Sequence, residues 1–162
     1  KPMGNGIPIS GLAAKEDVLA AFSDKLPYFN TFGGNPVSIA AAQAVLKYIK
    51  DENLQEHCKK AGGALLKALK EVQERHPESV GDVRGAGLFL GFEFVKNDGN
   101  KTPDKDMALN VIEMLRDEHI LTSVIGHYGN ILKLRPPMVF SENDIDWFAT
   151  SLDKCITKLE NK

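Results

Sequence analysis

Over NLQEHCKKAGGALLKALKEVQERHP the apolar residues recur three and four positions apart, with Leu65, Leu66, Leu69 and Val72 on one stripe. That is the period of a helix with one buried face, and Pro77 marks its end. The same spacing returns in PDKDMALNVIEMLRDEHI, where Met107, Val111, Ile112 and Leu115 form the stripe, and in the closing SENDIDWFATSLDKCITKLE. The last segment opens on a capping box, with Ser141 as N-cap and Asp144 reaching back in place of the usual Glu. PVSIAAAQAVLKYIKDE predicts an alanine-rich helix, capped by Asn35 and started by Pro36, whose missing N–H costs nothing in the first turn. KEDVLAAFSDK predicts a shorter helix, with acidic residues in its first turn and Val18, Leu19 and Phe22 at helical spacing.

Elsewhere the texture is that of strands and turns. Leu88 to Val95 is rich in β-formers and predicts a strand after a turn over VGDVRGAG. ILTSVI and NILKLR predict two short strands joined by GHYG, and GIPISGLAAK, a short apolar stretch bounded by Gly and Pro, predicts another. LPYFNTFGGNP is a loop dense in turn formers. From residue 88 onward the order strand, helix, strand, strand, helix describes a small α+β domain with helices on one face of a short sheet. A boundary is expected near residue 55, dividing 1–55 from 56–162.

Composition narrows the function classes. The 162 residues are 43% hydrophobic and 26% charged, ordinary for a globular protein, and the net charge is −2. Such balance gives no support to a nucleic-acid surface, which shows a clustered basic excess. No apolar run is long enough to span a bilayer, and the first residues given do not show the charged-then-apolar pattern of a signal peptide, which a truncated start would have lost. Cys58 and Cys155 are expected to be free, buried thiols of a reducing compartment, cytoplasmic or mitochondrial. His57, His76, His119 and His127 show no metal-ligand spacing; His127, beside Tyr128 in a Gly-flanked loop, is the one nearest a candidate site.

Four stretches carry candidate chemistry. Lys1 stands in KPMGNGIP, where glycines permit close approach of a flat ring, and a lysine amine forms Schiff bases with carbonyl cofactors. The same spacing suits a solvated loop lysine. NTFGGNP feeds a helix whose N-terminal amides favour anions, with the Thr31 hydroxyl as an added donor; read structurally, it is a tight turn before a capped helix. In NILKLRPPM, strand alternation puts Leu132 and Leu134 on the core face, with Lys133 and Arg135 on the other. Two neighbouring cations are either solvated or answering an anion. Arg84, before two glycines, grips a phosphate or carboxylate or fixes a turn.

Taken together, KPMGNGIPISG, FNTFGGNPVSIAAAQAVL, VRGAGLFLGFEF and LKLRPPMVFSENDID resemble, in order and spacing, the C-terminal part of class III aminotransferases, the fold-type I pyridoxal-phosphate enzymes. The resemblance covers essentially the whole chain and implies an α/β fold. Residues 1–55 would be the end of the cofactor-binding large domain, and 56–162 a small C-terminal α+β domain with a short antiparallel sheet. Lys1 matches the lysine that binds pyridoxal 5′-phosphate as a Schiff base and then acts as general base. Thr31 matches the threonine that binds the cofactor phosphate across a homodimer interface. Lys133 and Arg135 match the substrate-binding strand. Here a departure occurs: many members place an arginine three positions before the Pro-Pro pair, where this chain has Lys133, which lacks the planar fork.

ILKLRPPMVFS looks most like the branch of alanine–glyoxylate aminotransferase-like proteins and phospho-lyases acting on phosphoethanolamine-like substrates. Amino transfer between an amine and a keto acid is the favoured expectation. A phospho-lyase and a non-catalytic dimerisation domain are the alternatives. By the same resemblance the ring-stacking aromatic, the aspartate at the pyridine nitrogen and the main phosphate loop lie upstream, so these residues alone are expected to be inactive.

Overall fold

The computed structural model describes residues 2–161. Lys1, on which the cofactor expectation rests, lies outside them. The chain divides into two compact units, residues 1–53 and 54–162.

The first unit holds one turn of 3₁₀ helix (Pro2–Gly4), α1 (Glu16–Ser23) and α2 (Pro36–Asp51). α2 starts where expected: the Asn35 Oδ1 accepts from the amides of Val37 (3.0 Å) and Ser38 (3.2 Å), with Pro36 in the first turn. The strand expected in GIPISGLAAK does not form; residues 8–15 have no regular structure. A strand needs a neighbour for its ladder, and every strand of the described residues belongs to the second unit. Between residues 2 and 53 only Gly4 is buried. Leu12, Phe29 and Phe32 are each more than four-fifths exposed, at 85%, 87% and 82%.

The second unit closes a core of its own. It runs α3 (Leu54–Arg75), β1 (Val80–Ala86), β2 (Phe89–Phe94), α4 (Lys105–Asp117), β3 (Ser123–Ile125), β4 (Ile131–Leu134) and α5 (Glu142–Glu160). The four strands make one antiparallel sheet in the order β1-β2-β4-β3. One sheet face presents Val83, Leu90, Phe92, Phe94, Leu132 and Leu134 to Leu65, Leu69 and Val72 of α3, Val111 and Leu115 of α4, and Leu152 and Ile156 of α5. The stripes read from the sequence for α3 and α4 therefore face the core, with Leu66, Met107 and Ile112 at its edge, whereas Val18, Leu19 and Phe22 of α1 are exposed.

β1 is the element the sequence reading took for a turn. It carries Gly81 and Gly85, and a bulge at Gly81 breaks the two-residue alternation, so that Val80 and Val83 both face the core. Pairing with β2 makes it a strand. The cysteines are both free, but only Cys155 is buried; Cys58 is half-buried, its Sγ 3.8 Å from the Met138 carbonyl oxygen. Burial raises the Cys155 thiol above its ordinary value.

Two polar devices hold the helix ends. His76, 6% exposed, has Nδ1 2.7 Å from Glu160 Oε2 and Nε2 3.1 Å from Asp153 Oδ1, tying the end of α3 to α5. Burial raises the Asp153 carboxyl, but hydrogen bonds from Arg75 and His76 outweigh it and leave the group below its usual range. At the start of α5 the capping box is complete: the Asp144 amide donates to Ser141 Oγ (3.3 Å), and the Ser141 amide donates to Asp144 Oδ2 (2.8 Å). The Ser141 hydroxyl, then its amide, lower the Asp144 carboxyl from its ordinary 3.8. A carboxyl lowered by folding stabilises the fold above its unfolded value and loses that contribution as pH falls through the folded one. Ser141→Ala is expected to cost about 1 kcal/mol at neutral pH. Urea titrations of both proteins from pH 6 downward check this: the gap should narrow as pH falls below about 3.8, where the hydroxyl loses its charged partner, and the part owed to the bond from the Asp144 amide to Oγ should remain.

Candidate functional site

The site candidates of the second unit lie on the sheet face turned away from the helices. β4 alternates as a strand must: Leu132 and Leu134 are buried, Lys133 is half-buried, and Arg135 is exposed just past the strand end. Pro136 holds Arg135 extended by excluding the helical region for the residue before it. Lys133 pairs with Gly91 of β2 on one side and Ser123 of β3 on the other, and Arg84 of β1 faces Gly91 in turn. A single row across the sheet therefore reads Arg84, Gly91, Lys133, Ser123.

The three cations of this face differ in their partners. Arg84 is held within the sheet, its Nη1 donating to Asp82 (2.5 Å) and Glu93 (2.7 Å), and the bonds to Glu93 and then Asp82 raise its pKa further. It fixes the β1–β2 hairpin. Lys133 and Arg135 have no carboxylate within salt-bridge distance among the described residues. Both border a cleft of about 560 Å³ at the end of β4, which also takes in Thr122, Ser123 and Pro136 and reaches round to Leu65 of α3 and Phe148 of α5 on the helix side of the sheet. Apolar walls with a few convergent polar groups, at this volume, suit a small ligand. The Thr122 hydroxyl donates to the Lys133 carbonyl (3.2 Å), which pins the strand end beside the cleft.

Thr31 belongs to the first unit, in a turn organised by Asn30. The Asn30 Oδ1 accepts from the amides of Phe32 (3.1 Å) and Gly33 (3.0 Å), and Gly34 takes a positive φ of 71°. Two N-terminal amides of α2 are already engaged by Asn35, so the helix end is less open to an anion than its sequence suggests. The hydroxyl and amide of Thr31 enter no hydrogen bond among the described residues. Of the four residues singled out from the sequence, Lys133 and Arg135 thus meet at one cleft, Thr31 stands in the other unit, and Lys1 is outside the described residues. His127 sits in the β3–β4 loop, edge-to-face with Tyr128 at 4.8 Å, at the opposite end of β4 from Arg135.

Phe89 was not singled out from the sequence. The Arg135 Cζ lies 5.8 Å from the centre of its ring. Only the β2–β4 register, with Leu90 opposite Leu134, brings the two side by side.

Among the described residues no helix is long and apolar enough to cross a membrane, and no group of three or more His, Cys, Asp or Glu could hold a metal ion. Comparison with known proteins finds relatives over nearly the whole chain. It is 44% identical over 158 residues to ethanolamine-phosphate phospho-lyase homolog 1 of Caenorhabditis elegans, covering 97% of this chain and 34% of that protein. It is 35% identical over 159 residues to the mitochondrial alanine–glyoxylate aminotransferase 2 homolog 2 of Arabidopsis thaliana, covering 98% and 33%. Among solved structures, an Arthrobacter phospholyase in complex with phosphoethanolamine superposes with a TM-score of 0.91 at 37% identity, over 96% of this chain and 36% of that one. The chain spans about a third of the length of these relatives. The pattern of one family, aminotransferase class III, matches residues 1–156, and it is to this family that the chain belongs.

Proposed function

We propose that this chain acts within a pyridoxal-phosphate enzyme that moves an amino group from an amine or amino acid to a keto acid, as a homodimer. The observation that carries the reading is the family match over residues 1–156, which spans Lys1, the Thr31 turn and the Lys133–Arg135 strand together. Residues 1–55 belong to the cofactor-binding large domain and 56–162 form the small domain. The exposure of Leu12, Phe29 and Phe32 supports the first assignment, since apolar area on this scale is ordinarily covered by more protein.

The residues present fit the cofactor. The unbonded hydroxyl and amide of Thr31 are a donor pair of the kind that holds a phosphate, and by family resemblance they serve the neighbouring subunit's site. Pyridoxal phosphate supplies an electron sink when bound. The Lys1 Nζ would hold it covalently and, once freed by the substrate amine, would take the proton from the carbon bearing that amine and, in amino transfer, deliver it to the cofactor carbon. Lys133 and Arg135 bind the anionic end of the substrate. Lys133, standing where many members carry arginine, contributes a point charge in place of a bidentate fork.

A second reading, elimination of phosphate from a phosphoethanolamine-like substrate, is favoured by two unpaired cations at one cleft and by the likeness to the phospholyase that holds phosphoethanolamine. Lys1 would take the same proton in both reactions, which part only afterwards. In the full-length enzyme, borohydride reduction in the presence of pyridoxal phosphate should attach the label to the peptide bearing Lys1. Label only on other lysines would overturn the cofactor assignment. Inorganic phosphate released from phosphoethanolamine, measured against amine transfer dependent on a keto acid, separates the two reactions.

A further inference from the structure

The geometry points to Phe89 as the residue that positions Arg135 for binding the substrate anion, a step that rests on the reading of the Lys133–Arg135 cleft given above. Three observations carry it. Leu90 pairs with Leu134 on the core face, so the next residues outward, Phe89 and Arg135, meet on the opposite face just past the end of the ladder. The Arg135 guanidinium carbon lies 5.8 Å from the ring centre, within reach of a cation–π contact. The Phe89 ring is 58% exposed, so the fold does not need it for its core.

The chemistry explains why an aromatic suits this place. A carboxylate partner would fix the guanidinium but would also occupy its donors and cancel its charge, as Asp82 and Glu93 do to Arg84. A ring binds the face of the guanidinium and leaves its five N–H donors, which point outward in the plane, free for an anion. Lys133, two residues back on the same face, adds its charge about 7 Å along the strand. Phe89 therefore restrains Arg135 without neutralising it. It is a positioning residue and touches no reacting atom.

The test uses the full-length enzyme and its anionic substrate, phosphoethanolamine or the keto acid, whichever is turned over. Phe89→Leu should raise KM for that substrate about two- to five-fold, the loss of one exposed cation–π contact, with kcat and melting temperature unchanged. Phe89→Tyr should restore KM, and Phe89→Leu should have no further effect once Arg135→Gln is present. If Arg135→Gln raises KM but Phe89→Leu does not, or if Phe89→Leu raises it equally without Arg135, the positioning role is overturned while the cleft reading stands. If Arg135→Gln leaves KM unchanged, the cleft reading itself fails and this inference with it.

Discussion

Alanine at Gly62 is expected to destabilise the second unit by about 2 kcal/mol or more, while alanine at the adjacent Gly63 should stabilise it by up to about 1 kcal/mol. Both glycines lie inside α3, where alanine is the better helix former and limits the unfolded chain. They differ in what a Cβ would meet. At Gly63 there is nothing within 4 Å, and the residue is exposed. At Gly62 the added atom would stand 2.1 Å from the Gly87 carbonyl oxygen and 2.3 Å from its carbon, in the turn joining β1 to β2. Those are backbone atoms with no rotamer to give way, and Gly87 is itself committed to a positive φ of 53°. Helix and hairpin would have to separate, and the strain outweighs the propensity gain. Urea midpoints at unchanged m value would measure both changes, and equal midpoints for the two variants would contradict the packing described.

Phe92→Ala should cost about 3–5 kcal/mol, a large share of the 5–15 kcal/mol a domain of ordinary stability has in total. Phe92 sits on β2, with β1 and β4 on either side, opposite Val83 and Leu132, and is completely buried. Its ring meets that of Phe94 edge-to-face at 5.3 Å and 63°, so truncation removes an aromatic contact and opens a cavity between the sheet and its helices. Phe89, three residues earlier on the same strand, is the internal control. Its ring faces outward, and its removal should move stability by no more than about 0.5 kcal/mol. Denaturant titration of the two variants would read this contrast directly. A small loss at Phe92 would mean that the sheet does not carry the core.

How much of this was legible beforehand depended on whether the deciding forces were local. The starts of α2 and α5 are set by side chains within three residues of the amides they cap, Asn35 for Val37 and Ser38, and Ser141 with Asp144. The helix stripes and the inward Leu132 and Leu134 follow from the geometric periods of helix and strand. The family resemblance likewise rested on contiguous stretches such as NTFGGNP and LKLRPPM.

Composition, periodicity and capping chemistry by themselves determined the helices, three of the four strands and the opposition of Lys133 to the core, because each depends on neighbours a few bonds away. Only the tertiary structure decided that VGDVRGA is a strand, that GIPISGLAAK is not one, that Arg84 is spent on Asp82 and Glu93, and that Phe89 lies beneath Arg135. Strand pairing joins residues distant in the chain, and a bulge at Gly81 erases the alternation that would have announced β1.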